Sequence, residues 1–214
     1  MKLSPNILID QKMKTKINDR ISKVQTNSTP IYESNDQSIF QFRVDNLDLI
    51  AKFYRLRSLR QKFAAFFNQS RADRSYRAGL RLREAGIKTP RPILLTKKAG
   101  LQILVTESCP HKALLESLVD GVELQPSTPA NILALLHQLR KHHFTHGDFH
   151  ARNLLIDDEG KPHLIDLDGF RGHAAPSSTE RDRDRFLRSI APLEKPFKTF
   201  EKVLGTFGSS LPEK

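Results

Sequence analysis

The sequence predicts an α+β fold in two lobes, a small antiparallel sheet followed by a short, mainly helical half. Three observations predict it. Apolar and polar residues alternate with a period of two over residues 38–44 and 49–54, as in half-buried strands. The clearest helical spacing of apolar residues comes later, over residues 130–142. The residues suited to chemistry gather in the second half, from His146 to Asp168. The chain reads as one domain, with residues 1–107 as the first lobe, N-terminal extension included, and 108–214 as the second.

The elements follow in order. The first 36 residues are polar and mixed, hold no glycine, and predict no element. Asp45-Asn46 reads as the turn between the first two strands, and Lys52 falls inside the second, after Leu49-Ile50-Ala51. A helix is expected over residues 71–85, with Ala72, Tyr76, Gly79 and Leu80 on one face and Arg71, Arg74, Arg77 and Arg81 on another. Gly86 suits its C-terminal cap, with Pro90 and Pro92 beyond. Residues 93–96 and 101–106 read as two strands around a Lys-Lys-Ala-Gly turn, and residues 107–110 as the link between lobes. Thr128-Pro129 reads as cap and helix start, leading into residues 130–142 with Ile132, Leu133, Leu135, Leu136 and Leu139 buried. Residues 154–156 and 163–165 form a short hairpin across 157–160. The Arg- and Asp-rich stretch 181–187 reads as a charged helix, followed by a tail.

Composition bounds the partners. The chain has 214 residues, 38% hydrophobic and 28% charged, which suits one globular unit. A formal charge of +11 favours polyanions such as nucleotides or acidic membrane surfaces, although a soluble protein carries such a charge for no partner at all. A nucleic-acid module would interleave aromatics with its basic residues; with no tryptophan and three tyrosines, nucleic acid is not expected as a partner. Cys109 is the only cysteine, so no intrachain disulfide forms, which fits a reducing compartment. No apolar run approaches the roughly 20 residues of a membrane span, and residues 1–20 lack the apolar block of a signal peptide, so a cytoplasmic location is expected.

The chemistry is concentrated in His146-Gly147-Asp148-Phe149-His150-Ala151-Arg152-Asn153 and Leu164-Ile165-Asp166-Leu167-Asp168-Gly169. An acid, an amide five residues on, and a second acid after a short apolar run are the parts that phosphoryl transfer from ATP needs. Asp148 is the candidate catalytic base that orients an acceptor hydroxyl. Asn153 and Asp166 offer hard oxygens to Mg²⁺. Lys52, on a strand, is the candidate phosphate-positioning cation, and Asp168 is either a further metal neighbour or a cap. Protein kinases write these parts as H-R-D-x-x-x-x-N and D-F-G; here Gly147 replaces the Arg, and Asp-Leu-Asp replaces Asp-Phe-Gly. His146 and His150 bracket Asp148 at a spacing that zinc sites use on a helix, but Gly147 and the strand that follows disfavour a helix there. His146 is better suited to support the loop, and His150 to pack or to contact substrate. The Arg stripe of residues 71–81 is either a solvated face or, with Arg55, Arg57, Arg60 and Lys62, a contact for lipid or saccharide phosphates.

At these residues the chain resembles the lipopolysaccharide kinase family, small bacterial kinases that phosphorylate inner-core sugars such as Kdo or heptose. The resemblance rests on Leu49-Ile50-Ala51-Lys52, on residues 70–76 and 82–92, of which the stretch around Gly86 to Pro92 points to this branch, on residues 146–153, and on Ile165-Asp166-Leu167-Asp168. It implies a protein-kinase-like fold, ATP with Mg²⁺, and action peripherally at the cytoplasmic face of the inner membrane, on the glycolipid core as acceptor. It further implies Asp148 as the catalytic acid, Asn153 and Asp166 as metal ligands, Lys52 as the phosphate lysine, and Glu107 at the lobe link as a nucleotide contact. Two departures stand out. No glycine precedes Gly79, so residues 33–38 must cover the nucleotide without a Gly-rich loop. The helix partner of Lys52 is normally a Glu, whereas the aligned position carries Ser75, with Asp73 or Glu84 as substitutes. Rival readings are a small-molecule kinase of the aminoglycoside or choline type, an atypical protein kinase, and a pseudokinase binding module. The first usually has a larger helical lower lobe than the roughly 46 residues (169–214) that follow Asp168 here.

Overall fold

The computed structural model describes residues 11–98 and 100–207. Within it the chain divides into two compact units, one holding the residues up to Tyr76 together with Arg91–Ser108, the other holding Arg77–Pro90 and the residues from Cys109 on.

The first unit is built on a five-stranded antiparallel sheet of spatial order β1-β2-β3-β5-β4, formed by β1 (Tyr32–Glu33), β2 (Gln37–Val44), β3 (Leu47–Arg55), β4 (Pro92–Lys98) and β5 (Leu101–Glu107). The expected strands are present and one or two residues longer at their ends. Asp45 takes a positive φ in the β2–β3 turn, as the Asp-Asn pair allows. Period-two alternation turns Phe40, Phe42, Leu49, Ala51 and Phe53 to one face, where they are buried. That face is covered by a helix the sequence reading did not anticipate, α1 (Gln11–Asn27), whose Ile17, Ile21 and Val24 join the same core. Its apolar stripe is only these residues and Met13, too narrow to stand out in a polar segment; the sheet supplies the other half of the core.

Two more helices follow β3. Residues 59–66 form α2 (Leu59–Phe66), also not anticipated, and α3 (Arg71–Glu84) matches the expected helix. Ala72 of α3 packs with Tyr54 and Leu104 on the sheet face opposite α1. The Arg stripe is exposed as expected, but Leu80 is 39% exposed, and Ser75, Ala78 and Leu82 are buried instead. The buried row therefore runs along 72, 75, 78 and 82, one row round from the expected face. Gly86 ends the helix at φ +73°, with the Ile87 amide donating to Leu82 O at 2.8 Å.

The second unit is mainly helical. It holds α4 (Leu114–Val119), α5 (Thr128–Lys141), the hairpin β6 (Leu154–Ile156) and β7 (Pro162–Leu164), α6 (Pro176–Ile190) and α7 (Glu194–Leu204). Ile132, Leu135, Leu136 and Leu139 of α5 are buried, with Leu133 at the margin, and pack with Phe149, Leu154, Leu164, Phe186, Phe200 and Leu204. Thr128 is not the N-cap. Ser127 precedes the helix, and Thr128 is its first residue, fully buried. The expected tail is α7, because Phe200 and Leu204 fall on one face and cover Phe186. Among the described residues no helix is long and apolar enough to cross a membrane.

Candidate active site

The second unit assembles three of the five candidate site residues. Thr145 pairs with Arg171 through two backbone hydrogen bonds of 3.0 Å, which lays the His-Gly-Asp loop alongside the segment after Asp166. A Cβ on Gly147 would overlap the carbonyl of Gly169, and Gly147 also takes φ +77°. Glycine therefore stands where protein kinases carry Arg, for steric and conformational reasons together.

His146 locks the two segments together. Its ring is fully buried, with Nε2 2.9 Å from Ile165 O, and the Asp148 amide donates to its Nδ1 at 3.3 Å. Burial drives its pKa down, against the upward pull of the Ile165 carbonyl and the carboxylates of Asp182, Asp166 and Asp148. The neutral Nε2–H tautomer satisfies both bonds, whereas an imidazolium would have no acceptor to offer the Asp148 amide. Supporting the loop is thus what this ring does.

Asp148 is half-exposed, and both of its neighbours meet the same oxygen. Asn153 Nδ2 donates to Oδ2 at 3.3 Å and to the Asp148 carbonyl at 3.0 Å, while His150 Nε2 lies 3.3 Å from Oδ2. Asn153 is buried at the end of a 3-10 turn, Ala151–Asn153, and its own carbonyl accepts from the Ile165 amide at 3.0 Å. Asp166 follows directly, at φ 56° and ψ 64°, at the head of a second 3-10 turn, Leu167–Gly169, which contains Asp168. Left-handed backbone is uncommon for a non-glycine residue and marks a constrained position. Because the amide nitrogen of Asn153 is directed to Asp148, its oxygen is the atom a hard cation would take. That oxygen and the Asp166 carboxylate suit Mg²⁺ in type.

One member of this arrangement had no signal in the sequence. Asp182, in the Arg-Asp run of α6, is 1% exposed and accepts hydrogen bonds from the Thr145 hydroxyl at 2.6 Å and the amides of His146 at 2.8 Å and Gly147 at 3.1 Å. Arg185, one turn on, donates to Gly147 O at 2.5 Å. Alternating Arg and Asp reads as a solvated face, but Asp182 shares the buried face of α6 with Thr179, Phe186 and Ile190, and Phe186 packs against Phe149.

The other two candidates lie in the first unit. Lys52 sits in mid-β3, paired in register with Ile39 and Leu104, on the sheet face shared with Tyr54. Glu107 ends β5, its carboxylate held by Arg91 at 2.6 Å. Of the substitutes for the missing Glu, Asp73 closes a capping box with Ser70 and is also met by Gln102 and Lys97, and Glu84 is exposed. The glycine-free segment after β1 is fastened from below. Arg55 donates to Ser34 O at 2.7 Å, to Glu33 at 2.8 Å and to the Ser38 hydroxyl at 2.5 Å.

The chain is similar to known proteins. The sequence profile of the Lipopolysaccharide kinase (Kdo/WaaP) family matches residues 23–203. A 3-deoxy-D-manno-octulosonic acid kinase of Vibrio parahaemolyticus is 28% identical over 128 residues, which are 58% of this chain and 54% of that protein. Among solved structures, WbdD bound to a kinase inhibitor superposes with a TM-score of 0.58 at 18% identity, over 85% of this chain and 45% of that one. The bifunctional kinase-methyltransferase WbdD gives 0.56 at 20% identity, over 83% and 43%. These likenesses establish the kinase-like α+β fold. The chain spans little more than half the length of the curated relative and less than half of each WbdD chain.

Proposed function

The chain belongs to the Lipopolysaccharide kinase (Kdo/WaaP) family, and on that premise we propose that it transfers the γ-phosphoryl group of ATP to a hydroxyl of a lipopolysaccharide inner-core sugar. The observation that carries the reading is the set of Asp148, Asn153 and Asp166, brought together by bonds through His146 and Ile165. A solvated loop acid would need none of this support.

Asn153 and Asp166 would hold Mg²⁺, which when bound neutralises charge on the phosphates. Asp148 receives the acceptor. Asn153 and His150 both engage its Oδ2, which directs Oδ1 to the incoming hydroxyl. The hydroxyl oxygen forms its bond to the γ-phosphorus as the bond to the β-phosphate oxygen breaks. Asp148 takes the hydroxyl proton and ADP leaves. Lys52 and the backbone of Glu107 serve the nucleotide; the Glu107 side chain is already held by Arg91. The relative's named sugar makes 3-deoxy-D-manno-octulosonic acid the first acceptor to offer. An acceptor carried on a glycolipid implies peripheral contact with the membrane surface.

The test is transfer of labelled γ-phosphate from Mg-ATP to purified inner-core lipopolysaccharide. Wild type should label the glycolipid, and Asp148→Ala and Asp166→Ala should not. Only Asp166→Ala should also weaken Mg-dependent ATP binding. Full transfer by Asp166→Ala would remove the metal assignment, and nucleotide binding without transfer to any acceptor would leave a binding module.

A further inference from the structure

We propose that α2 is a membrane-docking element, which seats its aromatic face in the surface of an anionic phospholipid bilayer. The sequence pointed only to its basic residues, Arg57, Arg60 and Lys62, as a contact for lipid or saccharide phosphates, and not to its apolar ones. Leu59, Phe63, Phe66 and Phe67 are 84%, 67%, 79% and 50% exposed. No other stretch of nine residues among those described exposes four large apolar side chains. Their spacing of i, i+4, i+7 and i+8 places them on one stripe of the helix and its C-cap. Ala65, on the other side, is the helix's buried residue. The rings pack on one another instead of on a core, with centroids 4.6 Å apart for Phe63–Phe67 and 5.1 Å for Phe66–Phe67.

Charge identifies the occupant. Arg60 and Lys62 flank the apolar stripe on its two sides and Arg57 precedes it, all exposed. Between Asp48 and Asp73 the sequence has six basic residues and no acid. Beside the stripe opens a cavity of about 370 Å³ whose walls include Arg60, Arg71 and Arg74 with Ser58 and Asp36. Aromatics in a cationic frame are the composition of helices that lie in the headgroup region of acidic membranes. A second copy fits worse, because a symmetric pairing would bring Arg57, Arg60 and Lys62 against themselves.

The platform is firm. Ser58 and Gln61 form a capping box at the start of α2. At its end, Lys97 donates to Ala65 O at 2.9 Å and to the Asn68 amide oxygen, and pairs with Asp73 at 3.1 Å. The exposed rings are therefore presented by a tethered helix.

The inference shares with the proposed function only the expectation of a membrane-borne acceptor, and its test does not depend on phosphoryl transfer. The full chain is sedimented with vesicles of phosphatidylcholine alone or mixed with phosphatidylglycerol. Wild type should bind the anionic vesicles at least tenfold more strongly. Phe63→Ser/Phe66→Ser and Arg60→Glu/Lys62→Glu should each reduce that binding at least tenfold, with thermal unfolding unchanged. Wild-type-like binding by either variant, no preference for anionic vesicles, or absence of wild-type binding would overturn the proposal. So would a wild-type dimer that the double Phe variant converts to monomer, which would make α2 an interface between copies. Vesicle binding without transfer would count against the kinase reading alone.

Discussion

Asp182 Oδ2 accepts two hydrogen bonds at once, from the Thr145 hydroxyl at 2.6 Å and the His146 amide at 2.8 Å. A carboxylate on α6 thereby holds the loop that carries Asp148 without touching Asp148 itself. Asp182→Ala would leave buried donors unpaired, at about 1–3 kcal/mol each. Asp182→Asn keeps the volume and one acceptor. We expect Asp182→Asn to lower the melting temperature, by about 2–4 °C per kcal/mol lost in a chain of this size. Its kcat should fall at least tenfold at an unchanged KM for Mg-ATP. An equal rise in KM would assign Asp182 to nucleotide binding.

Gly147 tests the close approach of the two motif segments. Gly147→Ala places a Cβ onto the Gly169 carbonyl at a positive φ. The left-handed backbone alone costs about 1–2 kcal/mol, and the overlap adds to it. Gly121 provides the control, with a similar φ of +67° and nothing within 4 Å of its added Cβ. Urea denaturation should show Gly147→Ala losing clearly more stability than Gly121→Ala. Equal losses would mean that the segments part easily.

The segment after β1 lacks glycine and relies on Arg55. Arg55→Ala removes its bonds to Ser34, Glu33 and the Ser38 hydroxyl. The Glu33 side chain is more than half exposed, so its ion pair contributes little and the loss lies mainly in loop order. KM for ATP should rise about tenfold, equivalent to roughly 1.4 kcal/mol, with kcat much less affected. Arg55→Lys should restore little, since a single ammonium cannot reproduce the guanidinium fork.

Stability should depend on pH through two histidines. Burial lowers the pKa of both His146 and His163, although Asp157 raises the latter. The unfolded chain then binds more protons than the folded one as pH falls below the ordinary imidazole value of about 6.5. Stability is therefore full above that pH and declines beneath it. The depressed carboxylates of Asp73 and Asp157 act in a lower window, below their ordinary value of 3.8. Unfolding free energy measured in urea should fall between pH 7 and pH 5, and less steeply for His163→Gln. A flat profile across that range would contradict the neutral state of these rings.

The sequence by itself marked four of the five strands of the first sheet, all but β1, and the spacing of the acid-amide-acid set, because each is a local pattern. Alternation marks β2 and β3, and fixed spacing marks Asp148, Asn153 and Asp166. Only the tertiary structure decided what depends on partners distant in the chain. The Ile17, Ile21 and Val24 stripe of α1 has meaning only against a sheet contributed by residues 40–105. Phe200 and Leu204 turn a tail into α7 only because Phe186 offers them a surface. Asp182 looks like its charged neighbours until packing buries it beneath Thr145 and His146. The four exposed apolar residues of α2 and its C-cap would pass for core in any local reading. That they face outward is decided by the burial of Ala65 on the opposite side and by Lys97, from a distant strand, which bonds to Ala65 O.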